Sequence, residues 1–128
     1  RLLLGGPGSD KAVDLWKKWE GSQIIAPGLI FYEIGNGLHR LAINDIVSYE
    51  TAEEFLDVAL GLGLKIYQEA SLHRQALQIA RRFKLSATYD AHYLALAEMT
   101  ESEFWTADRK LFEHVRKEFP LIKVIDIP

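Results

Sequence analysis

Apolar residues fall along this chain in two alternating rhythms, and the alternation predicts the order of its elements. Helical spacing at i, i+3 and i+4 marks one rhythm; short unbroken apolar runs mark the other. Residues 1–4 are apolar after Arg1 and end at the breaker Gly5-Gly-Pro-Gly8, so they read as the tail of a helix. Ser9 then offers an N-cap for a helix over 10–20, with Ala12, Val13, Leu15, Trp16 and Trp19 on its apolar face. A short strand over 23–26 is stopped by Pro27-Gly28. Next comes a helix over 29–43, striped by Ile30, Ile34, Leu38 and Leu41, and another over 49–60 closed by Gly61 and Gly63.

The second half repeats the alternation. A strand over 64–67 precedes a helix capped by Ser71 and running to Phe83. Residues 87–99 are apolar almost all round, which predicts a helix buried on several sides. A strand over 104–107, a helix over 109–119 and a strand over 122–127 complete the order. Strands separated by helices predict an α/β layer fold with a parallel sheet. No repeat, low-complexity tract or linker divides the 128 residues, so one domain over 1–128 is expected.

Composition narrows the chemistry. Apolar residues at 48% and charged residues at 26% are those of an ordinary globular protein. No apolar run approaches the roughly 20 residues of a membrane span, and no secretory signal is recognisable. Cys is absent, which excludes disulfides, thiolate chemistry and Cys-based zinc sites, and a cytoplasmic location is expected. The net charge of −3 lacks the basic excess of proteins that grip long nucleic acids. Lys and Arg occur instead in doublets (Lys17-Lys18, Arg81-Arg82, Arg109-Lys110, Arg116-Lys117) that suit solvated helix faces.

Three acids occupy comparable places against this frame. Asp108 follows a strand directly, Glu33 lies on the second turn of the helix after another strand, and Asp90 lies on the first turn of the buried helix. Active residues of open parallel sheets gather where strand carboxyl ends meet the following loops. Carboxylates gathered there repel one another unless a divalent cation holds them. Each acid also has a purely structural reading: Asp90 as a partner of the helix dipole, Asp108 as an N-cap, Glu33 as a partner of Arg40. Thr106 points to the same side of its strand as Asp108 and can orient it, and Asn36 lies one turn beyond Glu33. The four His residues, 39, 73, 92 and 114, show no metal-ligand spacing with one another and read as surface or packing residues, His39 being the best placed of them to touch substrate. Trp16, Trp19 and Trp105 suit a core better than a base-stacking platform. A nucleophilic-Ser signature, a phosphate-binding Gly-rich loop and a dinucleotide fingerprint are all absent.

Three stretches together resemble the PIN-domain ribonucleases, in particular the VapC-type toxins of prokaryotic toxin–antitoxin pairs. They are Glu33-x-x-Asn36 after an early strand, Tyr89-Asp90-Ala-x-Tyr-Leu-Ala-Leu-Ala97, and Thr106-x-Asp108-x-x-Leu111 after a late strand. The resemblance implies a three-layer α/β/α fold with a central parallel sheet of about four to five strands. It also implies a cluster of acids around one or two Mg²⁺ or Mn²⁺ ions, and RNA as the substrate. Glu33, Asp90 and Asp108 are then three of the metal-binding acids, with Asn36 and Thr106 in support. The family pattern begins with a strand ending in Asp, which these residues lack, so an N-terminally incomplete PIN-like domain is expected. The resemblance further implies a homodimer and a small antitoxin in the acidic pocket; Val47, Phe55, Leu56 and Val58 can supply apolar contacts to such an interface, and core packing explains them as well. Two rival readings follow: a PIN-like module that binds RNA or protein without catalysis, and a receiver-like phosphoacceptor. The second wants a Lys at the end of a late strand, whereas Lys123 falls within one.

Overall fold

A computed structural model describes residues 23–125. The predicted helix over 10–20, its Ser9 cap and the end of the last predicted strand lie outside the described residues. The chain forms two compact units, one up to Ile66 and the other from Tyr67 onward.

In the first unit the order is β1 (Ile25–Pro27), α1 (Leu29–Ile43), α2 (Tyr49–Leu60) and β2 (Lys65–Tyr67), whose last residue opens the second unit. Strands β1 and β2 pair in a two-stranded sheet, and the Lys65 N–H donates to the Ile24 carbonyl at 3.0 Å. Both helices have the predicted bounds. Leu38, Ala42 and Ala52 form the buried seam between them, and Ile34, Val47, Phe55 and Leu56 pack against it. Three of the four residues offered for an interface are thus core residues, while Val58 is exposed. Ser48 caps α2, its hydroxyl accepting the Thr51 N–H at 3.1 Å. Gly61 caps the far end in the right-handed region, so of the two glycines expected there only Gly63, at φ 73°, adopts a conformation that favours glycine.

The second unit continues with α3 (Ala70–Arg82), α4 (Tyr89–Thr100), β3 (Phe104–Thr106), α5 (Arg109–Val115) and β4 (Ile122–Val124). Helices α3 and α4 pack together. Leu72, Ala76, Ile79 and Ala80 are the buried residues of α3, and Ala91, Leu94, Ala95, Leu96 and Ala97 those of α4. Alanines on both helices let their backbones approach closely, which suits the apolar, nearly faceless α4. Gln75 donates to Glu98 across this pair at 2.6 Å, and Arg82 reaches the other Glu98 oxygen at 3.4 Å. Strands β3 and β4 are parallel, with Phe104 opposite Ile122, Trp105 opposite Lys123 and Thr106 opposite Val124.

The fold class is α/β, as expected. In place of the single sheet expected, the described residues form two two-stranded sheets, each strand three residues long. Helix α5 is shorter than predicted: it ends at Val115, and residues 116–118 continue as a turn before Phe119 and Pro120. Ser71 is not the cap of α3; Glu69 holds that place in an extended conformation, and Ser71 falls inside the first turn. Helices α1, α3 and α4 close in the same way, through Asp45, Lys84 and Glu101 at φ 58°, 53° and 52°. Beyond each, an N–H bonds back to a carbonyl of the last turn: Ile46 to Leu41, Leu85 to Ala80 and Ser102 to Ala97. These are Schellman closures with a side-chain-bearing residue where glycine is usual.

Candidate active site

Asp90 and Asp108 meet in the second unit because two different local structures present them. Thr88 is the N-cap of α4, so Asp90 falls in its first turn, one turn before the fully buried Leu94. Asp108 is the N-cap of α5, placed there by the turn that follows β3. Its Oδ1 accepts the Leu111 N–H at 3.1 Å, and its own N–H donates to Thr106 Oγ1 at 3.0 Å. Thr106 therefore acts on the acid through the backbone, fixing the turn that aims it. The N-cap reading of Asp108 is correct, and it leaves the second carboxylate oxygen available as a further acceptor.

Asp90 senses both its burial and Asp108. Neighbouring protein withholds water from the Asp90 carboxyl and pushes its pKa above the ordinary 3.8, and the negative charge of Asp108 adds to the rise. Asp90 nonetheless remains exposed at its outer edge, so this is partial desolvation at a surface. A helix N-terminus favours the anion, yet here desolvation and the like charge outweigh it. Two oxygen-bearing side chains in mutual repulsion are a donor set that suits a hard divalent cation. Among the described residues no three His, Asp or Glu side chains gather as a metal-binding group, so the pair is the part of such a centre that the described residues bring together.

Glu33 and Asn36 are exposed on α1, in the first unit, one turn apart. His39 is exposed on the same helix with its Nδ1 3.4 Å from the Tyr49 hydroxyl, a contact between α1 and α2. Trp105 donates to Glu103 at 3.3 Å. Lys123 sits in the middle of β4, which leaves the receiver-like reading without its strand-end cation. One association has no signal in the spacing: His73 and His92, on different helices, lie with ring nitrogens 2.9 Å apart.

The double duty of Asp108 can be separated. Asp108→Ala removes the cap and should cost about 1 kcal/mol in denaturant unfolding, whereas Asp108→Asn, an equally good cap, should unfold close to the parent. Equal losses in both variants would assign the cost to the charge.

Comparison with known proteins places these residues in a family context. A family model described as PIN domain matches residues 9–118, a span running through both units. Ribonuclease VapC9 of Mycobacterium tuberculosis is 34% identical to this chain over 98 residues, covering 77% of this chain and 75% of its own length. VapC ribonuclease Mb0985 of Mycobacterium bovis matches with the same identity and the same coverage.

Proposed function

Because the chain belongs to the PIN-domain family, we propose that it is a Mg²⁺- or Mn²⁺-dependent endoribonuclease, the toxin of a toxin–antitoxin pair. The observation that carries the reading is the Asp90–Asp108 pair at the mouths of two helices, where burial and then the Asp108 charge raise the cost of ionising Asp90. Relatives whose names describe VapC ribonucleases support the choice of RNA. The matched span supports reading both units as one PIN domain.

In this mechanism Asp90 and Asp108 would hold a cation through carboxylate oxygens. By correspondence to the family pattern alone, Glu33 would be a further metal-binding acid and Asn36 its support. A bound divalent ion supplies a more acidic water nucleophile and offsets charge on the phosphoryl oxygens. The chain's own contribution is positioning. Thr106 fixes the turn before Asp108, and the Leu111 N–H holds one Asp108 oxygen so that the other can face the ion. Partial burial of Asp90 strengthens its pull on a cation, because a carboxylate short of water gains more from a positive neighbour. Leu94 and Ala97, buried on α4, hold that helix in the core. A homodimer, an antitoxin covering the acidic pocket and a cytoplasmic location belong to the same proposal. No helix among the described residues is long and apolar enough to cross a membrane.

Incubation of the purified chain with single-stranded and structured RNAs tests the reading. Cleavage is expected in Mn²⁺ or Mg²⁺ and should stop on adding EDTA. RNA that is retained by the chain yet stays intact in Mn²⁺ would establish the non-catalytic module instead.

A further inference from the structure

Two residues past Asp90, the same helical turn carries a nitrogen-based feature that the carboxylate chemistry does not use. His92 Nδ1 lies 2.6 Å from the Thr88 carbonyl oxygen. A carbonyl only accepts, so Nδ1 bears the proton, and in its neutral form the ring presents a lone pair at Nε2. That lone pair meets Nδ1 of His73 on α3 at 2.9 Å, with the rings at 72° and their centroids 4.9 Å apart. His73 Nδ1 must therefore donate, and the exposed His73 ring keeps a second lone pair at Nε2.

An imidazole whose far nitrogen is fixed on a carbonyl, so that the near nitrogen is a committed acceptor, is the arrangement that stands behind metal-ligating histidines. The separation also fits. Two nitrogens bound at about 2.0–2.1 Å and at right angles on one ion are roughly 2.9 Å apart. We infer that His73 and His92 form a two-imidazole site for a late first-row divalent ion that accepts right-angled nitrogens (Ni²⁺ or Cu²⁺) and bridges α3 to the first turn of α4. On binding, His73 Nδ1 gives up its proton to solvent and takes the ion in its place, while His92 keeps its bond to Thr88. Water completes the coordination, since no third His, Asp or Glu joins a group with them among the described residues. Imidazole suits these ions, whereas Mg²⁺ takes oxygen ligands, so the site is separate in both residues and metal preference from the carboxylate pair. It does not depend on the nuclease reading.

Calorimetric titration of the untagged full chain with Ni²⁺, in excess Mg²⁺, decides the matter. The parent should bind one equivalent with micromolar affinity. His73→Ala, an exposed position that leaves the fold intact, should weaken binding by about tenfold or more, as loss of one of two ligands requires. Asp90→Asn should leave Ni²⁺ binding unchanged, and His92→Ala, if its circular dichroism matches the parent, should behave as His73→Ala does. The inference falls if the parent binds no Ni²⁺, if His73→Ala binds as tightly as the parent, or if Asp90→Asn is the variant that abolishes binding.

Discussion

Asp90→Asn is expected to abolish metal-dependent RNA cleavage while leaving the chain folded and, at neutral pH, at least as stable as the parent. Loss of a charged ligand removes several kcal/mol of the stabilisation a metal site gives to developing charge, which corresponds to a rate loss of about 10²-fold or more. The stability effect has the opposite sign. Asp90 has a folded-state pKa raised above 3.8 by burial and by Asp108. Between 3.8 and that raised value the folded chain binds more protons than the unfolded chain, so stability declines as pH rises through the window. The favourable contribution is complete below the unfolded value and is gone above the folded one. Asn cannot ionise and escapes the penalty. Matched cleavage assays and thermal melts from pH 3 to 8 test both halves. A variant that cleaves RNA at the parental rate removes Asp90 from the site, and one that melts lower at neutral pH removes the repulsion.

Leu94→Ala should act in the reverse manner, on the fold first and on activity only as a consequence. Leu94 is wholly buried on the α4 face one turn beyond Asp90. Truncating a buried Leu costs about 2–5 kcal/mol through lost transfer free energy and the cavity left behind. That is a large share of the roughly 5–15 kcal/mol that holds a domain together. Urea unfolding should show a much lower midpoint with an unchanged slope. Where the variant remains folded, cleavage per folded molecule should stay near the parental level. A midpoint within error of the parent would mean that α4 is less tightly packed than its burial indicates.

The two variants also indicate which parts of the molecule are legible in its residues. Helices α1 and α2 begin and end where the apolar stripe and the Pro27-Gly28 and Gly61 signals put them, because their stripes alone determine which face is buried. The buried character of α4 is likewise written in its near-continuous run of Ala and Leu. Ends governed by a single bond are harder to read: Ser71 looks like a cap, but Glu69 takes the role, and α5 stops at Val115 where no breaker stands in its pattern. Asp90, Asp108 and Thr106 are recognisable because each belongs to a local motif, and the structure brings these three into one neighbourhood. That Thr106 works through the Asp108 backbone is a matter of turn geometry, which residue types do not specify. The His73–His92 contact has no local signature, since residues 19 apart meet only through the packing of α3 on α4.

Asp45, Lys84 and Glu101 hold three helix ends in a backbone region that penalises any residue with a Cβ. None of them belongs to the carboxylate pair or to the imidazole pair. The protein's persistence in a cell can therefore be tuned up or down at these corners without altering its chemistry.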